Sequence, residues 1–432
     1  MSTSNGISQL FFWLTSLCLA SNLSCSEQLP AKSEPPPDWS EIQSIKMDGD
    51  LKVFWGVAGR DSKYNLEESI KHGFTQLDGL NPYADPANRQ KNNINRYLQQ
   101  NKLNPWEKPS FFEEVIKRNL STLKNSDYLY QDIEFVFNTD INKAWNNREI
   151  RQASGTDNIE DFKNAYFKEW ATWFSLPLKW AKDNNSDQKI GLYGVQVFSR
   201  DYHVFLRSSI SDIPKTKQAD LDFWKYLDDY VDFYLPSIYV FYDKPDSIYY
   251  MAANVEENYL RSRRFGNKPV YPFIWLRYHN GGDRKVAGKE LNPYLVEASA
   301  VLPFFTGGKG FVLWGWEPKT KGQYYHSLPT FMNSLSRVAQ LSSKISRAKL
   351  VIDQPAYVLW RTKQPLVRKL KVSNKEWIVM AIYPWQNEAE EKTIKVSLGS
   401  RSVNLKIKGR HTEIYHLDSR KTTRLSMRNQ AE

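Results

Sequence analysis

Residues Asp127–Phe137 read DYLYQDIEFVF, and this stretch decides the fold. Tyr128 to Val136 has the β-branched and aromatic content of a buried strand. Helix-forming sequence lies on both sides: FFEEVIKRNLSTLKN before it and FKNAYFKEWATWFSLPLKWAKD after it. A strand between two helices is one unit of a βαβ series, and in such folds the carboxyl ends of the strands face the active site. Asp132 and Glu134 lie near that end. Residues two apart on a strand share a face, with Cα atoms roughly 6.5–7 Å apart. Carboxyls this close compete for ionisation, the usual way to keep one protonated as a general acid. A D-x-E triplet also occurs by chance as a helix cap or a solvated pair, so the rest of the chain has to decide.

The same pattern repeats outward from this stretch. Strands are expected at Leu51–Gly59, Phe74–Leu80, Lys189–Phe198, Phe233–Phe241, Pro269–Tyr278 and Gly310–Trp316, each followed by helix-forming sequence. With Tyr128–Val136 they make seven. Their continuous apolar runs suit a parallel sheet covered on both faces. A doubly wound sheet would carry a Gly-rich phosphate loop after its first strand, and G-x-G-x-x-G is absent. The expected fold class is therefore α/β, a TIM-like (β/α) barrel of seven strands, or eight with one overlooked. From Leu350 onward, short β-rich segments such as Tyr357–Thr362, Val367–Val372 and Trp377–Tyr383 follow with no helix between them, which predicts a separate antiparallel β-sandwich. The organisation read from sequence is a signal-like segment over 1–26, a Pro-rich linker over 27–45, the barrel over 46–347, the sandwich over 348–425 and a tail over 426–432.

Composition excludes several kinds of chemistry. The 432 residues hold two cysteines, Cys18 and Cys25, both in the first segment, so the body has no disulfide framework and no thiol nucleophile. The six histidines show no metal-binding spacing, and neither metal nor cofactor is expected. Leu10–Ala20 is too short to span a bilayer and reads as the apolar core of a secretory signal, so no membrane span is expected in the mature chain. The expected location is secreted, periplasmic or at the cell surface, with Cys25 a candidate for lipid attachment. Between Ala348 and Glu432, 17 Lys/Arg face 8 Asp/Glu, a net of +9 out of +11 for the whole chain. This is either a solvated basic face or a surface for an anionic polymer; no nucleic-acid-binding motif accompanies it.

Aromatics reach 14% of the chain, with 15 Trp and 24 Tyr. Most must be core. At the strand ends, however, they accompany carboxylates and other polar groups: Trp55, Asp78, Gln196, Tyr239, Tyr278 and Trp314 join Asp132 and Glu134. Such a mouth suits sugar rings, whose faces are apolar and whose rims hydrogen-bond.

The run of D-I-E after a strand, then G-L-Y-G, L-P-S-I-Y, P-V-Y-P-F-I-W-L-R-Y and F-V-L-W-G-W, resembles glycoside hydrolase family 56, the hyaluronidases, from about Leu51 to Arg347. The resemblance implies a seven-stranded barrel, with Glu134 as the general acid/base and Asp132 as the carboxylate that positions a substrate acetamide. It also implies that Tyr239 lies near that acetamide and Trp314 at the floor of the cleft. The sequence departs from the family at Gln196, where a tyrosine is usual, in lacking the two disulfides, in the segment after Glu134, and in its C-terminal extension. Carboxyls on one strand approach a glycosidic bond from one side, whereas glycosidase pairs generally flank it. The substrate's own N-acetyl oxygen then serves as nucleophile, giving retention. The expected activity is cleavage of an N-acetylhexosamine polysaccharide, an anionic glycosaminoglycan of the hyaluronan or chondroitin kind. The alternatives are a non-catalytic carbohydrate-binding barrel, or a glycosidase using carboxylates from two strands, with Glu317 or Asp78 as partner.

Overall fold

The computed structural model describes residues 39–58, 62–83, 104–108, 110–123, 126–134, 141–185, 187–194, 212–316 and 326–425. The expected signal segment, Gln196 and Glu317 lie outside them. Among the described residues, eight short strands precede residue 347: β1 (Lys52–Ala58), β2 (Thr75–Gln76), β3 (Asp78–Leu80), β4 (Tyr128–Asp132), β5 (Lys189–Tyr193), β6 (Phe233–Leu235), β7 (Phe273–Ile274) and β8 (Gly310–Trp316). They form two parallel sheets, ordered β2-β1-β8-β7 and β3-β4-β5-β6. β2 and β3 are one expected strand, interrupted at Leu77. Across the other seam, Tyr234 bridges Val270 and Ser237 bridges Phe273.

Alternation along each strand sends one set of side chains to the helices and the other to a shared interior. On β1, Val53, Trp55 and Val57 join the outer core while Phe54 points inward; on β8, Phe311 and Leu313 face outward and Val312 and Trp314 inward. The interior cluster draws on both sheets, with Phe54, Leu77, Tyr193, Phe233, Leu235, Tyr239, Phe273 and Val312 among its members. Gly191 leaves room for the Phe233 ring, since a Cβ there would overlap it.

The outer layer fixes β4. The Ile159–Asn184 helix begins at Asn158, whose side chain accepts from the N–H groups of Glu160 and Asp161. Pro177 interrupts its hydrogen-bond ladder, because it has no N–H to offer the Trp173 carbonyl four residues earlier. The Tyr83 hydroxyl donates to that carbonyl instead. One residue before Asp132, the fully buried Gln131 donates to the Pro177 carbonyl at 3.3 Å. Anchoring Gln131 outward turns Asp132 inward.

Residues 39–45, read from sequence as the end of a linker, are instead packed. Trp39 meets Trp55 edge-on at 5.6 Å and donates to Asn65, and Ile42 and Ile45 are buried.

The C-terminal part has seven strands: β9 (Lys349–Val351), β10 (Leu366–Lys371), β11 (Trp377–Ile382), β12 (Glu391–Leu398), β13 (Arg401–Lys408), β14 (Glu413–Leu417) and β15 (Thr422–Leu425). Five form an antiparallel sheet, ordered β15-β14-β11-β10-β9, and β12 and β13 form a two-stranded ribbon. The ribbon closes over one face of the sheet through Val396, Leu398 and Leu405 against Trp377, Val379 and Tyr415. The expected strand at Tyr357–Thr362 is a helix, Ala356–Arg361, that follows Pro355 and lies on the Asp246–Ser262 helix. Trp360 ties the two together by donating to Asp246 at 2.9 Å. The sheet's second face, with Leu366, Leu370, Ile378, Met380, Ile382 and Ile414, belongs to the same apolar core as the outer helices. The sheet is therefore a continuation of the α/β part and not a detached sandwich.

Candidate active site at the carboxyl ends of the parallel strands

On β4, Tyr128, Tyr130 and Asp132 are two apart, so they share the inward face. Tyr128 packs low in the interior, 5.1 Å from Phe54, and Tyr130 sits higher, 5.1 Å from Phe273. Asp132 follows at the strand's end, half-buried, and Glu134 lies beyond it, exposed on the coil that leaves the strand. The column thus runs from aromatic floor to carboxylate rim.

Tyr130 is the hub of this arrangement. Burial pushes its phenol well above the usual range, the charges of Asp132 and Asp78 and the neighbouring Tyr193 add to the rise, and the Trp314 indole N–H donating to its oxygen opposes it. The hydroxyl therefore stays protonated at any working pH. Gly79 on the adjoining strand has no Cβ because Tyr130's ring and hydroxyl occupy that space. Asp78, buried, accepts from Gln76 at 3.1 Å.

An aromatic wall adjoins this column. Tyr239 lies 5.4 Å from Trp314, 6.1 Å from Trp275 and 6.5 Å from Tyr193, and Trp275 meets Trp314 edge-on at 5.4 Å. His279 stacks on Tyr239 at 5.8 Å with ring planes 12° apart. Its Nδ1 accepts from the Gly281 N–H at 3.0 Å, which puts the ring proton of the neutral imidazole on Nε2. Each aromatic pair of this kind contributes about 0.5–1.5 kcal/mol beyond the area it buries.

Of the residues singled out by sequence, the structure thus gathers Asp132, Tyr239 and Trp314, with Asp78 close enough for its charge to act on Tyr130 and Glu134 on the coil just past Asp132. Trp55 and Tyr278 lie elsewhere. Trp55 faces outward between Trp39 and Phe74, because its neighbour Phe54 takes the inward side. Tyr278 is buried in the outer core, where its oxygen accepts from the Asn292 N–H at 3.3 Å. Neither can touch a ligand in the mouth from there. Gln196 lies outside the described residues. Tyr130, Tyr193, Trp275 and His279 were not singled out. The signal for Trp275 was the two-residue period Tyr271, Phe273, Trp275, which sends Tyr278 to the opposite face.

Among the described residues no group of His, Cys, Asp and Glu could hold a metal ion, and no helix is long and apolar enough to cross a membrane.

No family model matches the chain, and no curated protein matches it. Solved structures do, several glycoside hydrolases among them. Bee venom hyaluronidase is 18% identical, with 61% of this chain and 91% of that one covered and a TM-score of 0.43. A GH27 β-L-arabinopyranosidase from Geobacillus stearothermophilus is 9% identical, with 88% and 98% covered and a TM-score of 0.39. An Anoxybacillus α-amylase is 11% identical, with 84% and 79% covered and a TM-score of 0.36. Scores this low assign no chemistry, which has to come from the chain's own residues.

Proposed function

We propose that this chain is a glycoside hydrolase that cleaves an N-acetylhexosamine-containing polysaccharide with retention at the anomeric carbon, and that its two parallel sheets close into one seven-stranded barrel with β2 and β3 counted as one strand. The observation that carries the reading is the β4 column, in which Tyr130 and Asp132 share a face and Glu134 follows beside a wall of Tyr193, Tyr239, Trp275 and Trp314. In this reading an N-acetylhexosamine ring lies on Trp314 and Trp275. Asp132 accepts from the acetamide N–H and stabilises the positive charge as the acetamide oxygen closes on the anomeric carbon. Tyr239 donates to that oxygen. Glu134 protonates the departing glycosidic oxygen, then takes a proton from the water that opens the cyclic intermediate. With both carboxyls at one strand end, the acetamide oxygen of the substrate takes the place of a protein nucleophile on the opposite face of the sugar.

Hyaluronan, chondroitin and chitin oligomers should be incubated with the full-length protein and new reducing ends measured, with the anomer released followed by proton NMR. Release of the retained anomer from at least one of them is expected. Inversion rules the mechanism out; binding of these polymers without any cleavage favours a carbohydrate-binding role. The same reading has the chain exported, with residues 1–26 as its leader.

A further inference from the structure

A cavity of about 330 Å³ lies between the start of the Pro293–Phe305 helix and the turn joining β13 to β14, lined by Asn292, Tyr294 and Glu297 on one side and Glu388, Arg410 and His411 on the other. It is separate from the mouth and connected to it by a run of contacts. Phe241 packs against His279 at 4.6 Å, and two residues further on Asp243 accepts from Asn292 and Tyr294 at 2.7 and 3.3 Å.

Arg410 is the unusual group here. Its guanidinium lies 5.3 Å above the Tyr294 ring, and its Nε is buried with no hydrogen-bond partner. Its backbone is left-handed at φ 57°, a conformation that suits glycine or asparagine and that costs an arginine energy. The other charges on the walls are largely met within the protein. Glu297 pairs with Arg337 at 2.6 Å and faces His411 at 3.5 Å, while Glu388 is exposed at the rim. What remains is a planar cation over an aromatic ring, beside a space at the small end of the about 300–1,000 Å³ typical of ligand pockets. The planar donor fork of a guanidinium matches a carboxylate.

We propose that this cavity is a second saccharide subsite that binds the carboxylate of a uronic acid unit through Arg410, with the sugar ring beside Tyr294. The inference rests on the polysaccharide-cleaving reading, and narrows the substrate to a chain that carries carboxylates. It also gives the C-terminal part a role, because the turn that joins the ribbon to the sheet supplies the cation.

The test is calorimetric titration of the full-length protein with a hyaluronan hexasaccharide and with the same oligomer after its carboxyls are reduced to alcohols. The native oligomer is expected to bind about tenfold more tightly. Arg410→Gln should remove that preference, and Glu388→Gln, which takes a repelling charge off the rim, should strengthen it. Equal binding of the two oligomers by the wild type overturns the proposal, as does a folded Arg410→Gln that keeps the preference. Should Arg410→Gln fail to fold, Glu388→Gln decides, and an unchanged preference there counts against the site. An Arg410-dependent preference in a protein that cleaves none of these polymers upholds the subsite and removes the glycosidase reading instead.

Discussion

Glu134→Gln keeps the side chain's shape and hydrogen bonding but has no proton to give, so it isolates the acid/base step. Turnover on the natural polymer should fall by about 10²–10⁴-fold while KM changes little. A substrate with an activated aryl leaving group needs less protonation and should recover part of the loss. Asp132→Asn should also slow turnover, and an aryl leaving group should not rescue it, because its task is to hold the acetamide. Steady-state kinetics on both substrates separate the two roles; near-wild-type activity of Glu134→Gln on the polymer would falsify the assignment. At this scale the sequence was partly legible. Tyr128, Tyr130 and Asp132 declare their common face by spacing alone. Trp55 and Tyr278 misled because both are aromatic or polar near a strand end, and only alternation relative to Phe54 and Trp275 tells which way they point.

A helix with a proline in its interior needs a substitute donor, and here it comes from outside the helix. Tyr83 donates to the Trp173 carbonyl that residue 177 cannot serve, and Gln131 of β4 uses the Pro177 carbonyl. Tyr83→Phe should leave that buried carbonyl short of a partner and cost about 1–3 kcal/mol in urea unfolding. Pro177→Ala restores an N–H at position 177, so it should offset part of the loss in the Tyr83→Phe background. The two changes are therefore expected to couple by more than about 0.5 kcal/mol; simple additivity would show that Tyr83 acts only through packing. The helix was readable from sequence by its length and apolar content. Its tie to β4 was not, because Tyr83 and Trp173 are 90 residues apart. The helix at Ala356–Arg361 was misread as a strand for a related reason: YVLW is as compatible with a strand as with a helix, and packing against the Asp246–Ser262 helix decides.

Over the whole molecule, the C-terminal sheet and the α/β part are one body of core. A signal for this was present in β11, WIVMAI, where all six residues are buried. A sheet with one solvated face would alternate. Polar contacts reinforce the junction. Lys344 and His416 both hydrogen-bond Glu376, at 2.5 and 2.7 Å, and hold its carboxyl below its ordinary value. A carboxyl lowered in the folded state adds stability above its unfolded pKa and loses it as pH falls through the folded one. Glu376→Gln should therefore lower stability at neutral pH, by no more than about 1 kcal/mol for a half-buried group, with the difference from wild type vanishing in acid. Thermal unfolding from pH 7 to pH 3 checks this; a constant offset would mean that charge is not involved.

Deeper in the same junction, Arg368 of β10 reaches Glu256 of the Asp246–Ser262 helix at 2.5–2.6 Å, with both side chains buried, and Glu256 also accepts from the Ala356 N–H at 3.1 Å. Burial pushes the Glu256 carboxyl up, and Arg368 is the main influence holding it down. Arg368→Met removes that influence and leaves a carboxyl with no cation in apolar surroundings, at a cost of about 3–5 kcal/mol. The sign of its pH dependence follows. With its pKa raised further in the folded state, Glu256 would bind a proton that the unfolded chain has released, so the variant's deficit should grow as pH rises above the ordinary glutamate range and shrink below it. Replacing both partners, Glu256→Leu with Arg368→Met, removes the buried charge altogether and should recover most of the loss, short of the hydrogen bond to Ala356. Urea unfolding of the three variants at pH 4.5 and pH 8 decides the matter. A double variant no more stable than Arg368→Met would mean that the ion pair itself, rather than the burial of an unpaired charge, holds the sheet against the helices.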